Sequence, residues 1–80
     1  MKVYLVVSAQ GFYEDRSERI ERAYTDEAKA INFMEKYNKK LNRDQARYRD
    51  MRERGFIMLY EDYRVEEKHE ARIDTIDVEE

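Results

Sequence analysis

The chain opens with a stretch that is apolar on both sides of an extended backbone. Between Val3 and Ala9, the residues Val3, Leu5 and Val7 fall on one face and Tyr4 and Val6 on the other. A short β-branched run with two apolar faces predicts a central strand rather than an edge. Gly11 then opens a connection over Gln10–Ser17 that carries Phe12 and Tyr13. Glu18–Tyr24 alternates again but is more polar, as suits an edge strand: Ile20 and Tyr24 point one way with Arg22 between them, and Arg19, Glu21 and Ala23 point the other. The two strands form an antiparallel hairpin.

At Thr25 the period changes from 2 to 3.6. Ala30, Ile31, Phe33, Met34, Tyr37 and Leu41 share one arc of a helical wheel, opposite Lys29, Asn32, Glu35, Lys36, Lys39 and Lys40. Thr25 is a suitable N-cap, and Asp26 and Glu27 complement the positive end of the helix dipole. This predicts a helix over Thr25–Leu41, with Asn38–Asn42 (NKKLN) as its stop or bend.

Residues 42–70 read two ways. Gly55-Phe56-Ile57-Met58-Leu59-Tyr60 alone has strand character. A hairpin between 56–65 and 72–78 would have to turn at Glu66–Glu70, EEKHE, which holds no turn former. As a helix, Tyr48, Met51, Gly55, Met58, Leu59 and Val65 share a face, Asp44 and Asp62 intrude on it, and Asp50 and Arg54 form an i,i+4 pair. Gly55 is then a kink or a point of close approach. We place a long second helix ahead of the strand. The expected fold is α+β: a small two-layer ββααβ domain with a three-stranded sheet in the order 2-1-3, covered on one face by a helical hairpin. The last strand, over 72–78, would lie parallel to the first. Ile73 is out of phase with Ile76 and Val78, which a bulge or a later strand start would explain. The alternative is ββαββ.

Eighty residues make a single domain, 1–80, with a thin core. Charged residues are 44% of the chain and the mean hydropathy is −1.08. Such a chain folds alone or completes its core across a homodimer interface, and we expect the homodimer. Without cysteine there is neither a disulfide nor a thiolate zinc site. The apolar run at the start is too short for a signal-peptide core or a membrane span, so a cytoplasmic protein without a membrane partner is expected. The net charge of −3 is unevenly spread. Residues 36–60 carry 8 basic and 3 acidic groups, whereas residues 61–80 carry 3 and 9.

Two segments of this pattern carry a resemblance. Lys2-Val3-Tyr4-Leu5-Val6-Val7, followed by Ala23-Tyr24-Thr25-Asp26-Glu27-Ala28-Lys29-Ala30, resembles the opening of small uncharacterised proteins of bacteria and their phages. Those proteins begin with a hairpin, run into a helix capped by Thr or Ser, and end on a short acidic strand. The run Arg72-Ile73-Asp74-Thr75-Ile76-Asp77-Val78-Glu79 is similar to that ending. The resemblance covers the two ends of the chain and not its middle. It implies a compact α+β module, an accessory protein of a phage or mobile element, and brings no functional residues with it.

Candidate chemistry is sparse. Glu66-x-x-His69 has the i,i+3 spacing of di-iron bundles, but such a centre needs two of these motifs and two further carboxylates. A symmetric dimer could supply the second copy; otherwise this is a solvated acidic helix end. We assign no metal, cofactor or catalytic residue, since one histidine and two glycines support neither a nucleophilic triad nor a phosphate loop. The expected function is a non-catalytic protein-binding module that docks on a host protein. Its expected contact residues are Phe12 and Tyr13 on the connection and Tyr48, Met51, Met58, Tyr60 and Tyr63 on the second helix. Phe12 and Tyr13 either project as an apolar tip or fold back over the sheet. The alternative is nucleic-acid binding through the basic segment 36–54, using Arg43, Arg47 and Arg54, with Tyr37 and Tyr48 available to stack on bases.

Overall fold

A computed structural model of the chain describes residues 1–55 and 65–79. Strand β1 (Lys2–Gln10) is followed by a single 3-10 turn (Tyr13–Asp15), strand β2 (Ser17–Tyr24), helix α1 (Glu27–Glu53) and strand β3 (Lys68–Asp77). The sheet order is β2-β1-β3, so the doubly apolar strand is central, as its sequence requires. Both pairings of β1 are antiparallel.

The fold class is α+β with the expected strand order, but the ββααβ layout with its helical hairpin is not supported. Residues 43–53, expected to start a second helix, instead continue the first, which is 27 residues long. The NKKLN stretch neither stops nor bends it. Asn38 and Asn42 face β3, and their amides are used there. The Asn38 amide donates to the carbonyl of Ala71 at 3.2 Å and accepts from the Ala71 N–H at 2.6 Å. Asn42 donates to the Glu70 carboxylate at 2.9 Å. The helix ends only at Gly55, whose φ of 82° suits a residue without a Cβ and whose N–H reaches back to the Arg52 carbonyl at 3.0 Å. Among the described residues nothing lies within 4 Å of a Cβ placed at Gly55, and the backbone conformation itself favours glycine there. At the other end the N-cap is Asp26, one residue beyond the expected Thr25; its carboxylate accepts from the Ala28 N–H at 2.9 Å.

The direction of the last strand also departs from the expectation. β1 runs up, β2 down and α1 up, and β3 descends antiparallel to β1, not parallel as expected. The alternative ββαββ layout turns on residues 56–65, of which 56–64 lie outside those described.

Two bulges flank Val7 of β1, one in each neighbouring strand. β2 has an extra residue, Glu21, between the pairs Val6↔Arg22 and Val7↔Ile20. β3 has one between Val7↔Arg72 and Ala9↔His69. The first bulge separates Ile20 from Arg22 and Tyr24: Tyr24 and Arg22 face the helix, whereas Ile20 pairs with Val7 on the opposite face and is 59% exposed. The shared face expected for Ile20 and Tyr24 is therefore corrected. Ile73 and Ile76 need no irregularity, because Ile73 packs in the core and Ile76, paired with Val3, lies on the other face.

The core forms between the sheet and one side of α1. Val6, Ala30 and Ala71 are buried, and Tyr4, Tyr24, Phe33, Met34, Tyr37 and Ile73 pack around them. Arg22 lays its guanidinium over the Phe33 ring, 5.7 Å from the centroid. On the sheet's other face, Arg72 holds Glu18 with two hydrogen bonds of 3.1 and 2.9 Å and Asp74 with two of 3.0 and 3.1 Å. This network spans β2 and β3 above Val7, which is 5% exposed.

Candidate functional site

The connection between β1 and β2 is short and tightly held. Gly11 starts it at φ 88°, and a Cβ there would come within 2.5 Å of the Asp15 carbonyl, so only glycine fits. Its N–H donates to the Glu67 carbonyl at 2.9 Å. The Nε2 of His69 lies 2.7 Å from the Gly11 carbonyl, a donor position, and the imidazole meets the Phe12 ring edge-on at 5.1 Å. The N–H groups of Asp15 and Arg16 close the 3-10 turn on the carbonyls of Phe12 and Tyr13 at 3.1 and 3.2 Å. Backbone bonds, an imidazole and an aromatic contact thus fix a loop of six residues to the start of β3.

This arrangement divides the two aromatic residues. Phe12 folds back on His69 with half its surface still exposed. Tyr13 projects, 96% exposed, and is the one non-glycine residue with positive φ, 54°, among those described. Holding a tyrosine in the left-handed region costs roughly 1–2 kcal/mol. Beside it lies an open groove of about 500 Å³ lined by Gln10, Asp15, Ser17 and Glu67, together with the tip itself. With Glu14 adjacent, the tip is an aromatic anchor in acidic surroundings.

His69 is therefore a buttress of the tip. Its sequence neighbour in the metal reading, Glu66, is occupied elsewhere: the carboxylate pairs with Arg52 at 2.6 Å. Among the described residues, no three His, Asp or Glu side chains gather in a way that could hold a metal ion. The buried Ser8 hydroxyl donates to the Glu21 carboxylate at 2.7 Å, which satisfies it within the bulge.

The other expected contact residues separate from the tip. Tyr48 and Met51 are half-buried on the last turns of α1. Met58, Tyr60 and Tyr63 lie outside the described residues. Arg43, Arg47 and Arg54 do come together, exposed on one flank of α1, and Arg54 is paired with Asp50 at 3.3 Å as the i,i+4 spacing predicts. Tyr37, offered with Tyr48 as a stacking ring, is half-buried and packs against the core. Sequence reasoning missed the amide row of Asn38, Asn42 and Gln45. The spacing 38, 42, 45 was a visible signal, since it places three amides on one side of a helix.

These features define a two-layer α+β domain with a rigid aromatic tip. Compared with known protein families, with characterised proteins and with solved structures, the chain matches none.

Proposed function

We propose that the chain is a small, non-catalytic, cytoplasmic protein-binding module, an accessory protein of a phage or mobile element that docks on a host protein through the tip of its β1–β2 connection. The observation that carries this reading is Tyr13: a large aromatic side chain, 96% exposed, kept in a costly backbone conformation on a loop tied down from three sides. A loop ordered before binding loses little entropy on association, and a rigid aromatic anchor is a common source of interface energy. Glu14, Asp15 and Glu67 around it favour a partner whose apolar pocket has a basic rim. The accessory role rests on the resemblance of the two chain ends.

Capture from bacterial lysate with the wild-type chain and with Tyr13→Gly, followed by titration of the recovered protein in purified form, tests the reading. Glycine relieves the positive φ, so the variant stays folded. The expected result is a loss of affinity of at least tenfold for Tyr13→Gly. A partner that binds both chains equally would overturn the tip as the docking site.

A further inference from the structure

We propose that the exposed flank of α1 is a second binding surface, separate from the aromatic tip, which takes the phosphate backbone of double-stranded nucleic acid without reading its sequence. Lys29, Lys36, Lys39, Lys40, Arg43 and Arg47 fall within an arc of about 100° on one continuous helix and span about 27 Å of its length. All six are exposed. None is among the ion pairs formed by the described residues, whereas Arg52 and Arg54 are already engaged with Glu66 and Asp50. The row exists because the helix does not break at Asn38–Asn42; two antiparallel helices would have divided it. The acidic groups of β3 are placed away from it. Glu70 meets Asn42 on the β3 side of the helix, and Asp74 is bound by Arg72 on the far face of the sheet.

The composition of the flank selects the ligand. A helix that lies on a membrane needs an apolar face beside its cations. Here that face is turned onto the sheet, and none of the exposed large apolar side chains among the described residues lies on α1. A single-strand site needs exposed aromatic rings for stacking, whereas Tyr37 and Tyr48 on α1 are both half-buried, Tyr37 against the core. What remains is a row of cations at a pitch suited to a row of phosphates, which gives affinity with strong salt dependence and no base readout.

The test is fluorescence anisotropy with two labelled 20-base-pair DNA duplexes of unrelated sequence, across 50–200 mM NaCl. With four or five phosphates neutralised, affinity should fall on the order of 100-fold over that range and be equal for both duplexes. The variant K36Q/K40Q/R43Q/R47Q should abolish the salt dependence and most of the binding. Glutamine is a good helix former, so circular dichroism should be unchanged. A second variant, R16Q/R19Q/R49Q/K68Q, removes the same charge away from the flank and should bind like wild type. Equal loss in both variants, no binding at 50 mM NaCl, a flat salt response, or binding to phosphatidylserine vesicles in place of duplex would each overturn the proposal. Failure of the tip variant to lose its protein partner would leave these outcomes unaffected.

Discussion

Gly11 and Tyr13 occupy the same half of conformational space for opposite reasons. Gly11 has no alternative, because any side chain would collide with the Asp15 carbonyl at 2.5 Å. Gly11→Ala should therefore destabilise the fold by about 1–3 kcal/mol, seen as a drop in thermal midpoint of several degrees. Tyr13 gains nothing visible from its φ of 54°. Tyr13→Gly should leave the midpoint unchanged or raise it by a few degrees, since the relief of strain is partly offset by the greater chain entropy of glycine. A marked fall would show that Tyr13 is a structural residue. The tip was legible in the sequence only as two aromatics after a glycine. The bond from His69 to Gly11 joins residues 58 apart, and local pattern carries no information about it.

At the scale of elements, an exposed sheet edge and a helix flank solve one another's problem. Among the described residues β3 is at the edge of the sheet, and its backbone groups at Ala71 would invite pairing by another chain. The Asn38 amide offers a donor and an acceptor in the place of a further strand, and Gln45 donates to the carbonyls of Val65 and Lys68 at 3.1 and 2.8 Å. Asn38→Ala leaves both Ala71 groups unpaired and should cost about 1–3 kcal/mol by chemical denaturation, with increased aggregation. Asn38→Asp keeps the acceptor for the N–H but loses the donor, so it should fall between alanine and wild type. Equal stability of all three would remove the strand-like role. The helix itself was readable from its period. Its length was not, because asparagine is an ordinary stop signal and only β3 explains why these two are not.

The same scale includes the bridge across the open face. Hydrogen bonds from Arg72 hold the Glu18 carboxyl below its usual value of 4.5, reinforced by the charge of Arg72. The Arg72 guanidinium is in turn held ionised more firmly than usual, first by Glu18 and then by Asp74. A carboxylate depressed on folding stabilises the native state above its unfolded value, and that contribution is lost as the pH falls through the folded value. Glu18→Gln should thus lower the thermal midpoint at pH 7, and the difference from wild type should shrink as the pH drops below 4.5. A difference that persists undiminished at the lowest pH would exclude the ion pair as its cause.

Over the whole molecule the domain is elongated, 55 × 27 × 15 Å, with a radius of gyration of 15.4 Å. A compact chain of this length would have about 12 Å. Part of the reason is visible: Gln45 bonds Lys68, the first residue of β3, so the two turns of α1 that follow run past the end of the sheet. The core is correspondingly thin. Among the described residues Val6 is the largest side chain with no exposure, and burial of one valine contributes only about 1.5–3 kcal/mol. A homodimer would add to that core, and Val3, Leu5 and Ile76 on the sheet face turned away from α1 are the apolar surface at hand among the described residues. Light scattering at micromolar concentration should give twice the chain mass, and Leu5→Lys should return it to the monomer. A wild-type monomer would refute dimerisation.

Periodicity alone determined the hairpin, the central place of β1, the start of the helix to within a residue, and the aromatic composition of the connection. These depend on which face of a strand or helix is apolar, a property of neighbouring residues. Tertiary structure decided what depends on pairing between distant ones. The amides of Asn38 and Asn42 met β3 and carried the helix through to Gly55. β3 came to pair antiparallel with β1. The bulge at Glu21 sent Ile20 to the far face, and the fold-back of Phe12 on His69 left Tyr13 alone at the tip. The unbroken helix, finally, aligned six cations that the sequence had shown only as a basic stretch.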